Sequence, residues 1–300
     1  MKRMKKALMI GSTVADILIH VDHLPSLEED VEPTGQTMSL GGCCFNVSNM
    51  LSVFKVPYTL FSPVGSGLYG TFIREELRKK GMDPVLETDA ENGCCYCIVD
   101  ADGNRTFMAL HGAEYLFQKE WFDTLETDAY SDVYICGLEI EDKTGDVITE
   151  FIQRNSHLNI YFAPSARIMH IPDHLMNALL DASPILHLNR TEAILWLTSQ
   201  GHACQDDNTN TLCRLLYERT HNTVIITDGA DGAYAYDGER DYHVGAYPVR
   251  AVDGTGAGDS HIGTVMAMRM KGETLEASLR AAAFVSSQVV AKNGAILDIK

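Results

Sequence analysis

Short apolar runs alternate with amphipathic stretches along most of this chain. KALMIG (6–11), YTLFSPVG (58–65), DVYICGL (132–138), NIYFAPS (159–165), PILHLN (184–189) and TVIITDG (223–229) are nearly continuous in apolar residues, and each reaches Gly, Pro, Ser or Asn at or near its end. Unbroken runs of this length suit strands buried on both faces rather than half-exposed ones. Between them, TFIREELRKKG (71–81) and TEAILWLTSQG (191–201) have helical apolar spacing. The alternation predicts an α/β fold: a mostly parallel central sheet flanked by helices, doubly wound. Two segments break the rule. Residues 14–20 with 34–40, and 95–100 with 105–111, read as hairpin-like strands, which together predict a small β-sheet lid. No internal repeat or low-complexity linker interrupts the chain, so residues 1–300 are expected to form one domain with that lid.

Composition narrows the function. With 41 Asp and Glu against 24 Lys and Arg, the net charge is −17. That disfavours nucleic acid or an anionic membrane as a partner, since phosphate backbones are held by clustered Lys and Arg. A small phosphate ligand remains open, because backbone amides and a metal can hold it locally. The opening MKRMKKALMIG imitates a signal peptide, but its apolar run is short of the roughly seven to fifteen residues of a secretory core. Ala7–Ile10 is expected to be the first buried strand instead. No segment reaches the ~20 apolar residues of a membrane span, so the expected location is the cytoplasm. Eight cysteines include one C-x-x-C, Cys94 and Cys97, without a second pair or a nearby His pair to complete a zinc site. They are expected to be reduced thiols.

Two glycine clusters compete for the ligand, which in open α/β sheets sits beyond the carboxyl ends of the strands. GSGLYG (65–70) matches G-x-G-x-x-G and would suit a dinucleotide and an oxidoreductase. It is displaced from the first βα turn, however, and the acid expected about twenty residues on falls among Glu87 and Asp89 without a clear strand end. The second cluster, AVDGTGAGDS (251–260), runs directly into the helical HIGTVMAMRM. Gly256, Ala257 and Gly258 can turn successive amides toward one point at the positive end of the helix dipole. Such an anion hole suits charge on a transferring phosphoryl group. Asp259 in the first turn could act as a base toward a hydroxyl, or serve as an ordinary helix-capping acid.

These residues also carry a resemblance. DGTGAGDS resembles the C-terminal signature of the ribokinase-like (PfkB) carbohydrate kinases, D-T-x-G-A-G-D-x-F. GGCCFNVSNML (41–51) resembles the family's other signature, with Gly41, Gly42 and Asn46 in the G-G-x-x-x-N positions. HLNRTEA resembles N-x-x-E, with Asn189 and Glu192, and IITDGADGAY resembles T-x-G, with Thr227 and Gly229. The resemblance implies ATP-dependent phosphorylation of a hydroxymethyl group of a small sugar. Asp259 would be the general base, and Gly256, Ala257 and Gly258 the anion hole. Asp16, Gly41, Gly42 and Asn46 would bind the sugar, with Arg105 and Glu139 as further substrate-side groups. Asn189, Thr227 and Gly229 would lie along the nucleotide, and Glu192 would hold Mg²⁺ through water. Carbonyls around Asp253 would hold a monovalent cation such as K⁺. A homodimer through the lid is expected.

Departures from the family pattern bear on the substrate. Gly254 replaces a Thr, Cys43 stands where ribokinases carry Lys, and His261 stands where the family has Phe. The loss of that Lys puts ribose in doubt. The lid shows no Lys/Arg cluster for a second phosphate, which disfavours a phosphosugar. A nucleoside kinase is the first alternative, an NAD-dependent oxidoreductase the second, and a catalytically silent sugar-binding regulator the third. Most of the eleven histidines are expected to be solvated.

Overall fold

The computed structural model describes residues 4–82, 84–102, 105–141, 143–204, 208–292 and 294–297. The chain opens with β1 (Lys6–Ile10), β2 (Val14–His20) and β3 (Gly35–Gly41), then α1 (Cys43–Val53), β4 (Tyr58–Phe61), β5 (Pro63–Ser66) and α2 (Gly67–Lys79). β6 (Leu86–Glu91), β7 (Cys94–Val99) and β8 (Arg105–Leu110) follow, then α3 (Lys119–Asp123), β9 (Tyr130–Cys136), α4 (Gly137–Glu141) and α5 (Gly145–Arg154). The third quarter holds β10 (Asn159–Ala163), α6 (Asp173–Asp181), β11 (Ile185–Asn189), α7 (Arg190–Ser199) and α8 (Thr209–Thr220). The last elements are β12 (Val224–Thr227), β13 (Ala233–Tyr236), β14 (Asp241–Val244), α9 (Ala257–Met270) and α10 (Leu275–Val290).

Eight strands form the central sheet in the order β14-β13-β12-β11-β10-β9-β1-β4. From β4 through β12 all pairs are parallel, and only the edge pairs β12–β13 and β13–β14 are antiparallel. Side chains alternate between two cores. Leu8 and Ile10 of β1 pack with Phe151 of α5 and Leu197 of α7 on one face. Ala7 and Met9 pack with Phe45 of α1, Val265 of α9 and Leu279 of α10 on the other. Covering both faces requires each strand to be apolar at every position, which accounts for the unbroken runs in the sequence.

The small sheet is separate, with order β3-β2-β7-β8. β2 pairs antiparallel with β3 and β7 with β8, while β2 and β7 run parallel between them. A further parallel pair, β5 with β6, supports the start of α2. Among the described residues no helix is long and apolar enough to cross a membrane.

Candidate active site

The carboxyl ends of the parallel strands open onto a cleft of about 740 Å³. Ser12 after β1, Cys136 of β9, Asn189 of β11 and Thr227 of β12 stand on its floor. Cys95 and Phe107 of the lid face it from the other side. Two helices aim their N-termini into it. Gly42, Cys43 and Asn46 come from α1, and Gly256, Gly258 and Asp259 from α9.

α1 and α9 approach closely because Gly263 is a glycine: a Cβ there would lie 2.9 Å from Met50 Cβ and 3.1 Å from the Val47 carbonyl. That contact, one turn beyond Asp259, brings Asn46 Nδ2 to donate to Asp259 Oδ2 at 2.8 Å. Burial pushes the Asp259 carboxyl up to about 6, against hydrogen bonds from Asn46 and Cys43 that favour the carboxylate. A base with this value is largely ionised at neutral pH yet basic enough to take a proton. Burial, and then the charge of Asp259, raise the facing Asp16 to about 7. Asp16 needs Gly41 beside it on β3, where a Cβ would fall 1.8 Å from Asp16 Oδ2.

The anion-hole loop has the geometry of an open helix start. Gly256 caps α9 with φ 73, a left-handed conformation, and provides no side-chain cap. Ala257 N bonds to the Gly254 carbonyl at 3.3 Å and Ser260 N to that of Gly256 at 2.8 Å. Of the first-turn amides this leaves those of Gly258 and Asp259 without a backbone acceptor among the described residues. Ala257 therefore differs from the expectation, because its amide is engaged and it is not part of the cleft wall.

Other expected residues are placed less centrally. Glu139 on α4 is 1 % exposed and lies outside the cleft wall. Its Oε1 accepts the Ser12 amide at 2.8 Å, holding the turn after β1, and burial pushes its carboxyl up to about 7. Arg105 likewise does not face the cleft: its guanidinium pairs with Asp253 and donates to Thr255 Oγ1 at 2.5 Å. Gly229, with φ 53, is exposed with open space around it, two residues beyond Thr227 and outside the cleft wall. Asn189 and Glu192 form a reciprocal capping box at the start of α7. Glu192 Oε1 accepts from Asn189 Nδ2 at 2.7 Å and Oε2 from Asn189 N at 3.0 Å. Burial, opposed by that backbone bond, raises the Glu192 carboxyl, and the charge of Asp259 adds to the rise.

Two histidines depart from the expectation of solvated side chains. His187 on β11 and His261 on α9 are buried, with His187 Nε2 and His261 Nδ1 3.0 Å apart. Burial drives both below the ordinary histidine value, His261 to about 4. His261 thus pairs with a neutral partner behind Asp259, a role no phenylalanine could fill. The signal was present in the two sequence positions, but only the packing of α9 on β11 joins them.

GSGLYG lies away from the cleft. A Cβ on Gly65 would meet the Ala90 carbonyl at 2.1 Å, and one on Gly70 the Gly65 carbonyl at 2.1 Å. These glycines admit protein backbone rather than a pyrophosphate, which removes the dinucleotide reading. All eight cysteines are free, and among the described residues no cluster of three or more His, Cys, Asp or Glu could hold a metal. A second cavity of about 620 Å³, lined by Asp132, Tyr161 and Arg269 among others, lies at the opposite ends of the strands and includes none of the expected site residues.

Comparison with known proteins agrees with this fold. The profile of the pfkB family carbohydrate kinases matches residues 4–300. The chain is 27% identical over 291 residues to an uncharacterized sugar kinase, YegV, of Escherichia coli, covering 97% of this chain and 90% of that one. It is 26% identical over 298 residues to the ribokinase of Bacillus subtilis, covering 97% and 95%. Its fold superimposes on the crystal structure of ribokinase from Thermotoga maritima with a TM-score of 0.84 at 19% identity, covering 97% and 94%.

Proposed function

We propose that this chain, which belongs to the pfkB family of carbohydrate kinases, transfers the γ-phosphoryl group of ATP to a primary hydroxyl of a small sugar. The observation that carries this is the Asp259 carboxylate, half-buried on the cleft wall, steered by Asn46, and set beside the open first-turn amides of α9. Asp259 takes the proton of the sugar hydroxyl as its oxygen attacks the γ-phosphorus. The new P–O bond forms while the bond to the β-phosphate bridge oxygen breaks, and ADP departs with that electron pair. Amides of Gly258 and Asp259 face the charge on the transferring group, with Gly256 opening the way for it. Asp16, Gly42 and Asn46 would receive the sugar hydroxyls, and Gly41 gives Asp16 its place. The lid would exclude water, which competes with the sugar for the phosphoryl group.

Mg²⁺ bound to ATP would neutralise phosphate charge, and it normally takes one or two carboxylates plus phosphates and water. The residues present fit that demand. Glu192 is a carboxylate on the cleft wall, raised by burial and in part by the charge of Asp259, and it would hold the cation through water. Asn189 positions it through the capping box, and Thr227 with Gly229 would border the nucleotide. At the loop around Asp253, the buried carboxylate is met by the Arg105 guanidinium rather than by a monovalent cation.

A nucleoside is the second reading of the acceptor. His111 and Tyr115 stack with ring centroids 3.9 Å apart on the cleft wall, beside Phe107 and Leu110, and such a surface suits a flat base. A cytoplasmic setting fits eight unpaired cysteines. The lid's edge strands β3 and β8 expose Met38 and Met108; a second copy covering them would make the expected homodimer, which sedimentation measures. The deciding experiment is ADP release with Mg·ATP over free hexoses, pentoses, sugar acids and nucleosides, with Asp259→Asn beside the wild type. An acceptor-dependent signal that falls about 10²–10⁴-fold in the variant supports the assignment; a signal that survives the variant refutes Asp259 as base.

A further inference from the structure

The loop leading into α9 buries a negative charge. The Asp253 side chain is 1% exposed. Its Oδ1 accepts from the Thr255 amide at 2.7 Å and from the Arg105 guanidinium, and its Oδ2 accepts from the Gly294 amide at 2.9 Å. Arg105 also donates to Thr255 Oγ1 at 2.5 Å, so one guanidinium grips two residues of the loop. Behind the loop, a Cβ on Gly256 would lie 2.4 Å from the Ala295 carbonyl. The segment around Gly294 therefore presses directly on the residue that caps α9.

A carboxylate so deeply buried needs a compensating positive charge, because leaving it unpaired is strongly unfavourable. A monovalent cation expected at this loop would need the Asp253 oxygens and neighbouring carbonyls. Asp253 Oδ1 already accepts two hydrogen bonds, one of them from a full positive charge, Oδ2 accepts one, and the Val290 carbonyl accepts from Val252 N at 2.8 Å and Asp253 N at 3.1 Å. The charge is supplied instead by a side chain on β8, 148 positions away in sequence and part of the lid.

We infer that Arg105 is a tethered cation, delivered by the lid, which holds the anion-hole loop in shape and replaces a diffusible monovalent cation. Arg105 is a positioning residue: it touches Asp253 and Thr255, and acts on the phosphoryl group only through the loop they belong to. Because β8 belongs to the lid sheet, seating the lid and shaping the anion hole become one event. The inference rests on the kinase reading of the loop, but its cation argument can be tested apart from activity.

The test compares wild type, Arg105→Ala and Arg105→Lys in KCl and in tetramethylammonium chloride at equal ionic strength. Thermal melting is recorded without substrate, and kcat and sugar KM with the acceptor identified by the panel. Wild type should show the same melting temperature and kcat in both salts. Arg105→Ala should melt lower and lose about 10²-fold in kcat with little change in sugar KM, the size expected for loss of preorganised electrostatics. Arg105→Lys should restore most of both. Activation or stabilisation of wild type by K⁺ would overturn the inference, as would an Arg105→Ala effect confined to sugar KM, which would mark a direct substrate contact. Should Arg105→Ala not fold, the wild-type salt comparison and Arg105→Lys still decide. Absence of ADP release with every acceptor would count against the kinase reading alone, with the melting comparison unaffected.

Discussion

Removing Asn46 should move the pH at which the enzyme switches on. Asn46 Nδ2 donates to Asp259 Oδ2 at 2.8 Å on the part-buried wall of the cleft. A hydrogen bond to a charged group is worth about 1.5–3 kcal/mol, and one pKa unit corresponds to about 1.4 kcal/mol. Asn46→Ala should therefore raise Asp259 from about 6 by roughly one to two units. The sign follows from which form loses support: the carboxylate loses a donor, so the proton binds more tightly and the base is active only at higher pH. At pH 7 the ionised fraction falls from about nine-tenths to between about a half and a tenth, so kcat drops about 2–10-fold. Near pH 9 both enzymes are ionised and kcat should nearly recover, while sugar KM stays raised at every pH because Asn46 is also a proposed sugar contact. The assay is ADP release from pH 5 to 9.5 at saturating sugar, with a melting curve to confirm folding. An acid limb of kcat that stays in place, or moves to lower pH, would refute the proposed coupling between Asn46 and the base.

Three further outcomes follow from the same contacts. Gly41→Ala puts a Cβ 1.8 Å from Asp16 Oδ2, so the carboxylate must swing away; sugar KM should rise about tenfold or more, as when a site loses a group built to bind a hydroxyl, with ATP KM unchanged in steady-state kinetics. Asp16 carries a carboxyl raised to about 7, so its contribution to stability is present at low pH and is lost as pH rises through that value. Asp16→Asn should accordingly raise the melting temperature at pH 8 by on the order of a few °C and leave it unchanged near pH 4, while sugar turnover collapses. Gly65→Ala, forced against the Ala90 carbonyl at 2.1 Å, should cost about 1–3 kcal/mol in urea unfolding and leave kcat of the folded enzyme intact, since GSGLYG lies outside the cleft.

Local pattern alone was enough to identify the parallel strands of the central sheet. A strand covered on both faces must be apolar throughout, so β1, β9, β10, β11 and β12 are readable as runs of their own residues. β13 and β14 were not singled out, because an antiparallel edge of four-residue strands leaves only a short, weak signal. Asp259 and the glycines before it were legible for a similar reason: an open helix start with an acid in its first turn is a local arrangement, written in consecutive residues. What a side chain does across the cleft is not local. Arg105 reads as a substrate-side group, yet its meaning comes from Asp253, 148 positions on. Glu139 reads as a substrate acid, yet one of its oxygens holds the Ser12 amide, 127 positions earlier. His261 gains its partner only where α9 crosses β11. Periodicity and backbone chemistry therefore determined the sheet, the helices and the phosphoryl-facing loop. Tertiary packing decided which charges meet, because Coulomb and hydrogen-bond energies depend on distances that sequence spacing does not encode.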